Sequence, residues 1–140
     1  MAMKITRTNN PIYFGFSTLI SKLWKEGKLP EVTKGIYGGE LSLANITNEH
    51  ILPKSKGGKA HLSNIALATL ENNNKRANGF LSDVLTAENF KNYCKQFKDL
   101  AVPYTDKNKV KYFYGNKYIK DITETVSRIL REEKRMDIII

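Results

Sequence analysis

The chain has a single cysteine, Cys94, in 140 residues. One cysteine forms no internal disulfide, and with only His50 and His61 beside it there is no thiolate–imidazole set for a zinc knuckle or a haem. The lone thiol suits a reducing compartment, so a cytoplasmic location is expected. On its own Cys94 reads as a small apolar side chain on a helix. No stretch approaches the roughly 20 apolar residues of a membrane helix, so no membrane partner is expected. The N-terminal MAMKITRTNNPIYFGF has no uninterrupted apolar core of the kind a secretory signal needs. Neither an internal repeat nor a low-complexity linker is present.

Acidic residues are also scarce, with 14 Asp and Glu against 23 Lys and Arg, a net charge of +9. The imbalance lies in residues 1–118, which carry 18 basic and 9 acidic side chains, while residues 119–140 carry 5 of each. A basic surface of this size is suited to a polyanion. The C-terminal segment is then a poor place for the main phosphate contact. With 41% hydrophobic residues the chain can bury a core, and 140 residues is the size of one domain.

Periodicity places the elements. Residues 11–27 carry Ile12, Phe16, Leu19, Ile20, Leu23 and Trp24 at helical spacing, stopped by Gly27 and Pro30. Residues 35–52, GIYGGELSLANITNEHIL, read as extended chain with a tight turn at Gly38-Gly39. A polar loop with Gly57-Gly58 and three lysines spans 53–64, and Ile65–Ala68 is a short strand. A helix over 69–78 is capped by Thr69, with Gly79 at the C′ position. A second helix over 86–100 starts at Thr86. The mixed stretch 101–118 holds a strand, VKYFY, broken by Gly115-Asn116. A last helix runs over 119–135 with Glu124 and Arg128 as an i, i+4 pair. The terminal DIII reads either as a strand or as a partner-binding tail.

Residues 43–79 carry the chemistry. Glu49-His50 ends one strand, Asn64 follows the lysine-rich loop, and Asn73 lies on the helix. Hydrolysis of a phosphodiester needs a base to take a proton from water near neutral pH, and an imidazole with a pKa near ~6.5 suits that task. A divalent cation neutralises charge on the phosphate, and a hard cation takes a few oxygens from protein and keeps several waters. The Glu49 carboxylate and the Asn73 amide oxygen are of that kind. Neighbouring strand residues point to opposite faces, so bringing Glu49 and His50 to one site requires the strand to bend or bulge at its end.

The ordered set of EHILPKSKGG, Asn64, Asn73 and the following Arg76-Ala77-Asn78 resembles the signature of HNH endonucleases, also called ββα-metal or His-Me finger nucleases. It is similar to the HNH domains of RNA-guided CRISPR nucleases and of phage junction-resolving endonucleases. The resemblance covers residues 35–79, about 45 of the 140, with Arg76 and Ala77 where the signature has Lys and Gly. Ile36–Glu40 occupies the place of a Cys-x-x-Cys-Gly zinc turn but has no cysteine, so no structural zinc is expected.

The resemblance implies an α+β fold. A ββα-metal core at 35–79 would be embedded in further helices, with 1–34 an N-terminal and 80–140 a C-terminal helical extension of one domain. It implies an enzyme, an endonuclease using Mg²⁺ or Mn²⁺, with His50 as general base, Glu49 and Asn73 as metal ligands, and Asn72 the next choice if the register is off by one. Asn64 would complete the catalytic set by pinning the loop through hydrogen bonds to the backbone. Lys54, Lys56, Lys59, His61, Lys75 and Arg76 are expected to contact nucleic acid. His61 is read as a loop or phosphate contact rather than a second metal ligand. DNA is the expected partner, with RNA the alternative, and the activity expected is nicking. The last helix and the DIII tail are candidates for a homodimer surface or a cover for the core. Phage recombination or packaging, mobile-element homing, restriction and toxin functions all use this module; among these a phage or mobile-element enzyme, in the cytoplasm of a bacterial or phage-infected host cell, is the expectation. A competing reading keeps the fold as a nucleic-acid binding module without catalysis.

Overall fold

Two short strands form the centre. In the computed structural model, which describes the backbone of residues 11–139 and the side chains of 18–134, β1 (Ile46–His50) pairs antiparallel with β2 (Ile65–Thr69). Ile46 lies opposite Thr69 and His50 opposite Ile65. Every residue of β2 is buried, as in a strand covered on both faces. The connection holds two single 3-10 turns, Lys54–Lys56 and Leu62–Asn64. Gly58 is required there, because a Cβ at that position would come within 1.7 Å of the Leu52 carbonyl oxygen.

Helix α2 (Leu70–Arg76) follows β2 without a loop. Thr69 caps it, its hydroxyl accepting from the Asn72 N–H at 3.2 Å. The helix is shorter than expected. Ala77, rather than Gly79, takes the positive φ (48°) that ends it. The cause is Arg76, which is drawn inward and donates from Nε to the Gly79 carbonyl at 3.2 Å.

The outer edge of β2 would expose unpaired backbone groups. Helix α3 (Ala87–Lys95) and helix α4 (Gly115–Ile139) close it with two buried tyrosines. Tyr93 OH accepts from the Leu67 N–H at 2.9 Å, and Tyr118 OH donates to the Ile65 carbonyl at 2.8 Å. With its own proton committed to Ile65, Tyr118 accepts from Tyr93 across 2.8 Å. Burial raises the pKa of both phenols, which keeps this relay protonated. The Ile36 N–H completes the edge by donating to the Leu67 carbonyl at 2.8 Å.

Helix α1 (Pro11–Lys25) packs Ile20 and Leu23 into the same apolar cluster that receives Tyr118, Ile122, Val126 and Ile129 of α4. Residues 80–140 are not all helical. A second hairpin, β3 (Ala101–Asp106) with β4 (Lys109–Tyr114), precedes α4 and buries Val102 and Phe113. Gly115-Asn116 ends the strand as expected but also opens the helix, four residues earlier than its apolar spacing suggests. Glu124 pairs with Lys120 (3.5 Å) rather than with Arg128. The backbone of the DIII segment continues α4 through Ile139, against the strand reading, while its side chains and Ile140 lie outside the described residues. Among the described residues, four α-helices and two small antiparallel sheets make an α+β fold. Among the described residues no helix is long and apolar enough to cross a membrane.

Candidate functional site

Alternation along the β1–β2 hairpin separates its functional side chains. Thr47 and Glu49 share one face with their cross-strand partners Ala68 and Ala66. The two alanines leave room for α2 to lie over that face, and its polar side chains meet the strand in order. Asn73 Nδ2 donates to Thr47 Oγ1 at 3.0 Å. Three residues on, Arg76 Nη1 lies 3.3 Å from Glu49 Oε2. Asn72 faces elsewhere, donating to the carbonyls of Tyr37 (3.4 Å) and Gly38 (3.1 Å). Of the adjacent asparagines, then, Asn73 is the one on the Glu49 face.

Glu49 is buried and well held. Tyr37 OH donates to its Oε2 at 2.6 Å, and Arg76 Nη1 also donates to Tyr37 OH (3.2 Å) and the His50 carbonyl (3.3 Å). Burial raises the Glu49 pKa, opposed by the Tyr37 hydrogen bond and the Arg76 charge. Tyr37 is pushed up as well, by burial first and the Glu49 charge second, so it stays a donor. Arg76 was expected to touch nucleic acid. It is 4% exposed, with its guanidinium spent on Glu49, Tyr37 and two carbonyls, and so serves as an internal counter-ion.

His50 ends β1 in regular register, without the expected bulge, so its imidazole turns to the face opposite Glu49 and Asn73. No hydrogen bond joins any two of these three side chains among the described residues. The His50 Nε2 is buried and has no partner among them, and neither has Asn48 Oδ1, two residues earlier on the same face. Burial first, then the positive charge of Lys54, lowers the His50 pKa. The imidazole is therefore neutral at neutral pH, as a base must be.

Asn64 is buried and clasps the loop. Its Oδ1 accepts from the Leu52 N–H at 2.8 Å, and its Nδ2 donates to the carbonyls of Leu52 (3.1 Å) and Lys59 (3.0 Å). The clasp presents Lys54, Lys56, Lys59 and His61 on the surface, and Lys75 is exposed on α2. Lys56 Nζ sits 5.6 Å from the Phe80 ring centroid. A cleft of about 270 Å³ runs between this loop and α4, lined by Lys59, His61, Asn64 and Arg128 among others.

Two residues of this region carry no signal in the sequence: Tyr37, within a turn, donates to Glu49, and Arg128, on a segment of zero net charge, lines the cleft beside the loop. The turn around Gly38-Gly39, both at positive φ, is held by amides. Asn72 and Asn89 donate to the Tyr37 carbonyl, and Gln96 bonds the backbone of Thr33 and Lys34.

The β1–α2 interface offers oxygen donors of the kind a hard divalent cation takes. The Glu49 carboxylate, which also takes a backbone hydrogen bond from His50, and the Asn73 amide oxygen lie on the same strand–helix interface, and oxygens of this kind suit Mg²⁺ or Mn²⁺. Against them stands Arg76, a resident positive charge on the same carboxylate. No group of three or more His, Cys, Asp or Glu gathers at one point among the described residues. Compared with protein-family models, curated proteins and solved structures, the chain matches none.

Proposed function

We propose that this chain is a metal-dependent endonuclease of the HNH type, cutting nucleic-acid phosphodiester bonds, with DNA nicking as its main activity. The observation that carries the reading is His50 Nε2, buried, without a hydrogen-bond partner among the described residues and held neutral, at a strand end that opens into a lysine-rich loop. His50 would take the proton of the attacking water. Glu49 and Asn73 would hold the cation, which when bound neutralises charge gathering on the phosphate. Tyr37 and Arg76 fix the Glu49 carboxylate from behind, Asn64 keeps the loop in shape, and Lys54, Lys56 and Lys59 position the phosphate backbone.

One observation favours a second reading, a binding module without catalysis. Arg76 and Tyr37 already occupy Glu49, and His50 faces away from it. Supercoiled plasmid separates the two. Nicking with Mg²⁺, abolished by EDTA and by His50→Ala, is expected of the nuclease. Plasmid that is shifted on a gel but intact under all conditions would establish the binding module.

A further inference from the structure

The β3–β4 hairpin has one face in the core and one in solvent. An exposed sheet face is ordinarily polar. Here it carries Val110, Tyr112 and Tyr114, which are 67%, 52% and 55% exposed. Pro103 lies across from Tyr112 and Ala101 across from Tyr114, both exposed as well. The two tyrosine rings are near-parallel, with centroids 5.9 Å apart and an interplanar angle of 21°. They form a continuous aromatic surface that nothing in the chain covers among the described residues.

Charge decides what fits that surface. The hairpin's turn is Lys107-Asn108, both at positive φ, the geometry of a two-residue connection. Lys109 and Lys111 follow in β4, where alternation turns them to the face opposite Tyr112 and Tyr114, and the single acidic residue of the hairpin, Asp106, is paired with Lys111 at 2.9 Å. The Lys111 hydrogen bond, then the charges of Lys107 and of Lys22 from α1, hold the Asp106 carboxyl below its ordinary range, so positive potential surrounds the tip. A second copy of the chain docking here would set these lysines against their equivalents. A polyanion gains from them.

We propose that the exposed face of the β3–β4 hairpin binds an unpaired stretch of nucleic acid, its bases stacking on Tyr112 and Tyr114 and its phosphates meeting the lysines of the tip. Stacking is open to bases whose faces are free, and in a duplex those faces cover one another. The proposal shares with the reading above its class of partner but none of its chemistry, and a strand held here would extend contact beyond the Lys54–Lys59 loop.

The test is fluorescence anisotropy of a labelled oligothymidylate, in EDTA, with the full chain. Tyr112→Ser/Tyr114→Ser should weaken binding at least about tenfold, and Tyr112→Phe/Tyr114→Phe should restore most of it, because the rings and not the hydroxyls are used. Both rings are over half exposed, so thermal melting should be unchanged. A serine variant that binds the single strand as tightly as the parent, or one that loses as much affinity for a duplex of equal length as for the single strand, overturns the proposal. So does sedimentation showing a dimer that the serine variant dissolves, which would assign the face to a second copy. Because nothing is cleaved in EDTA, loss of nicking with binding intact would tell against the nuclease alone.

Discussion

Arg76 Nη1 stands 3.3 Å from Glu49 Oε2, with both side chains almost completely enclosed. The pair joins the end of α2 to the middle of the hairpin, and breaking such a pair strands a charge in the interior. Arg76→Met is therefore expected to destabilise the fold by about 3–5 kcal/mol. The sign of its pH dependence follows from Glu49. Burial already raises this carboxyl's pKa, and removing the guanidinium raises it further. A carboxyl whose folded pKa is raised favours the folded state at low pH and loses that contribution as pH rises through the folded value. The variant should lose more stability at pH 8 than at pH 5. Urea denaturation at both values is the check, and a loss below about 1 kcal/mol at pH 8 would reject the structural role.

Asn64→Ala removes an acceptor and two donors from the loop at once, leaving the Leu52 N–H and carbonyl without their partner. A cost of about 1–3 kcal/mol is expected. Asn64→Asp should recover only part of it, since it still accepts from Leu52 but donates to neither carbonyl. Hydrogen exchange should locate the damage, with the Leu52 amide losing protection while Leu67 N–H, held by Tyr93, keeps it. Equal loss at both amides would mean that Asn64 acts on the whole fold and not on the loop.

Local signals in the sequence carried the reading where local physics decides. Thr69 caps α2, Thr86 caps α3 by accepting from the Asn89 N–H at 3.1 Å, and the polar loop falls between two strands as its glycines and Pro53 suggest. What was not legible depends on partners far along the chain. Arg76 looks like a surface cation until Glu49, 27 residues away, and Tyr37, 39 away, are folded onto it. Val102, in a strand interrupted by Pro103, shows its place only when Phe113 lies opposite. His50 follows the strand's alternation rather than the bend the site was expected to need, because pairing with Ile65 continues to the last residue.

The His50 imidazole should titrate below its ordinary value of ~6.5. Burial is the larger cause and Lys54 the smaller, so Lys54→Met should raise the midpoint without bringing it to the ordinary value. A histidine with a depressed folded pKa contributes stability above its unfolded pKa, and that contribution is lost as pH falls below about 6.5. The nicking rate should accordingly hold as pH falls to 6.5 and decline only below it. NMR titration in EDTA, in a His61→Gln background so that one imidazole reports, gives the midpoint directly. A value at or above 6.5 would remove the reason for treating His50 as a poised base.

His50→Ala is expected to lower metal-dependent nicking by roughly 10²–10⁴-fold while leaving DNA binding nearly intact. Unchanged nicking by the purified variant would assign the proton transfer elsewhere.

Glu49→Gln and Asn73→Ala address the cation. Gln at 49 can still accept from Tyr37, but it leaves the buried Arg76 guanidinium without its counter-ion, so thermal melting must first show the variant folded. Asn73→Ala removes the amide oxygen and also the donor to Thr47. Each should shift the Mg²⁺ midpoint for nicking upward by at least about tenfold, and calorimetry with Mn²⁺ should show the same order without turnover. Asn72→Ala is the control. It loosens the turn at Tyr37 and Gly38, which costs stability, but its side chain does not lie on the Glu49 face. If all three variants shift the midpoint equally, the metal responds to general loosening and not to ligands on the β1–α2 interface. If only Glu49→Gln and Asn73→Ala shift it, Arg76 must give way to the cation at Glu49 when metal binds, since two positive charges cannot share that carboxylate without cost.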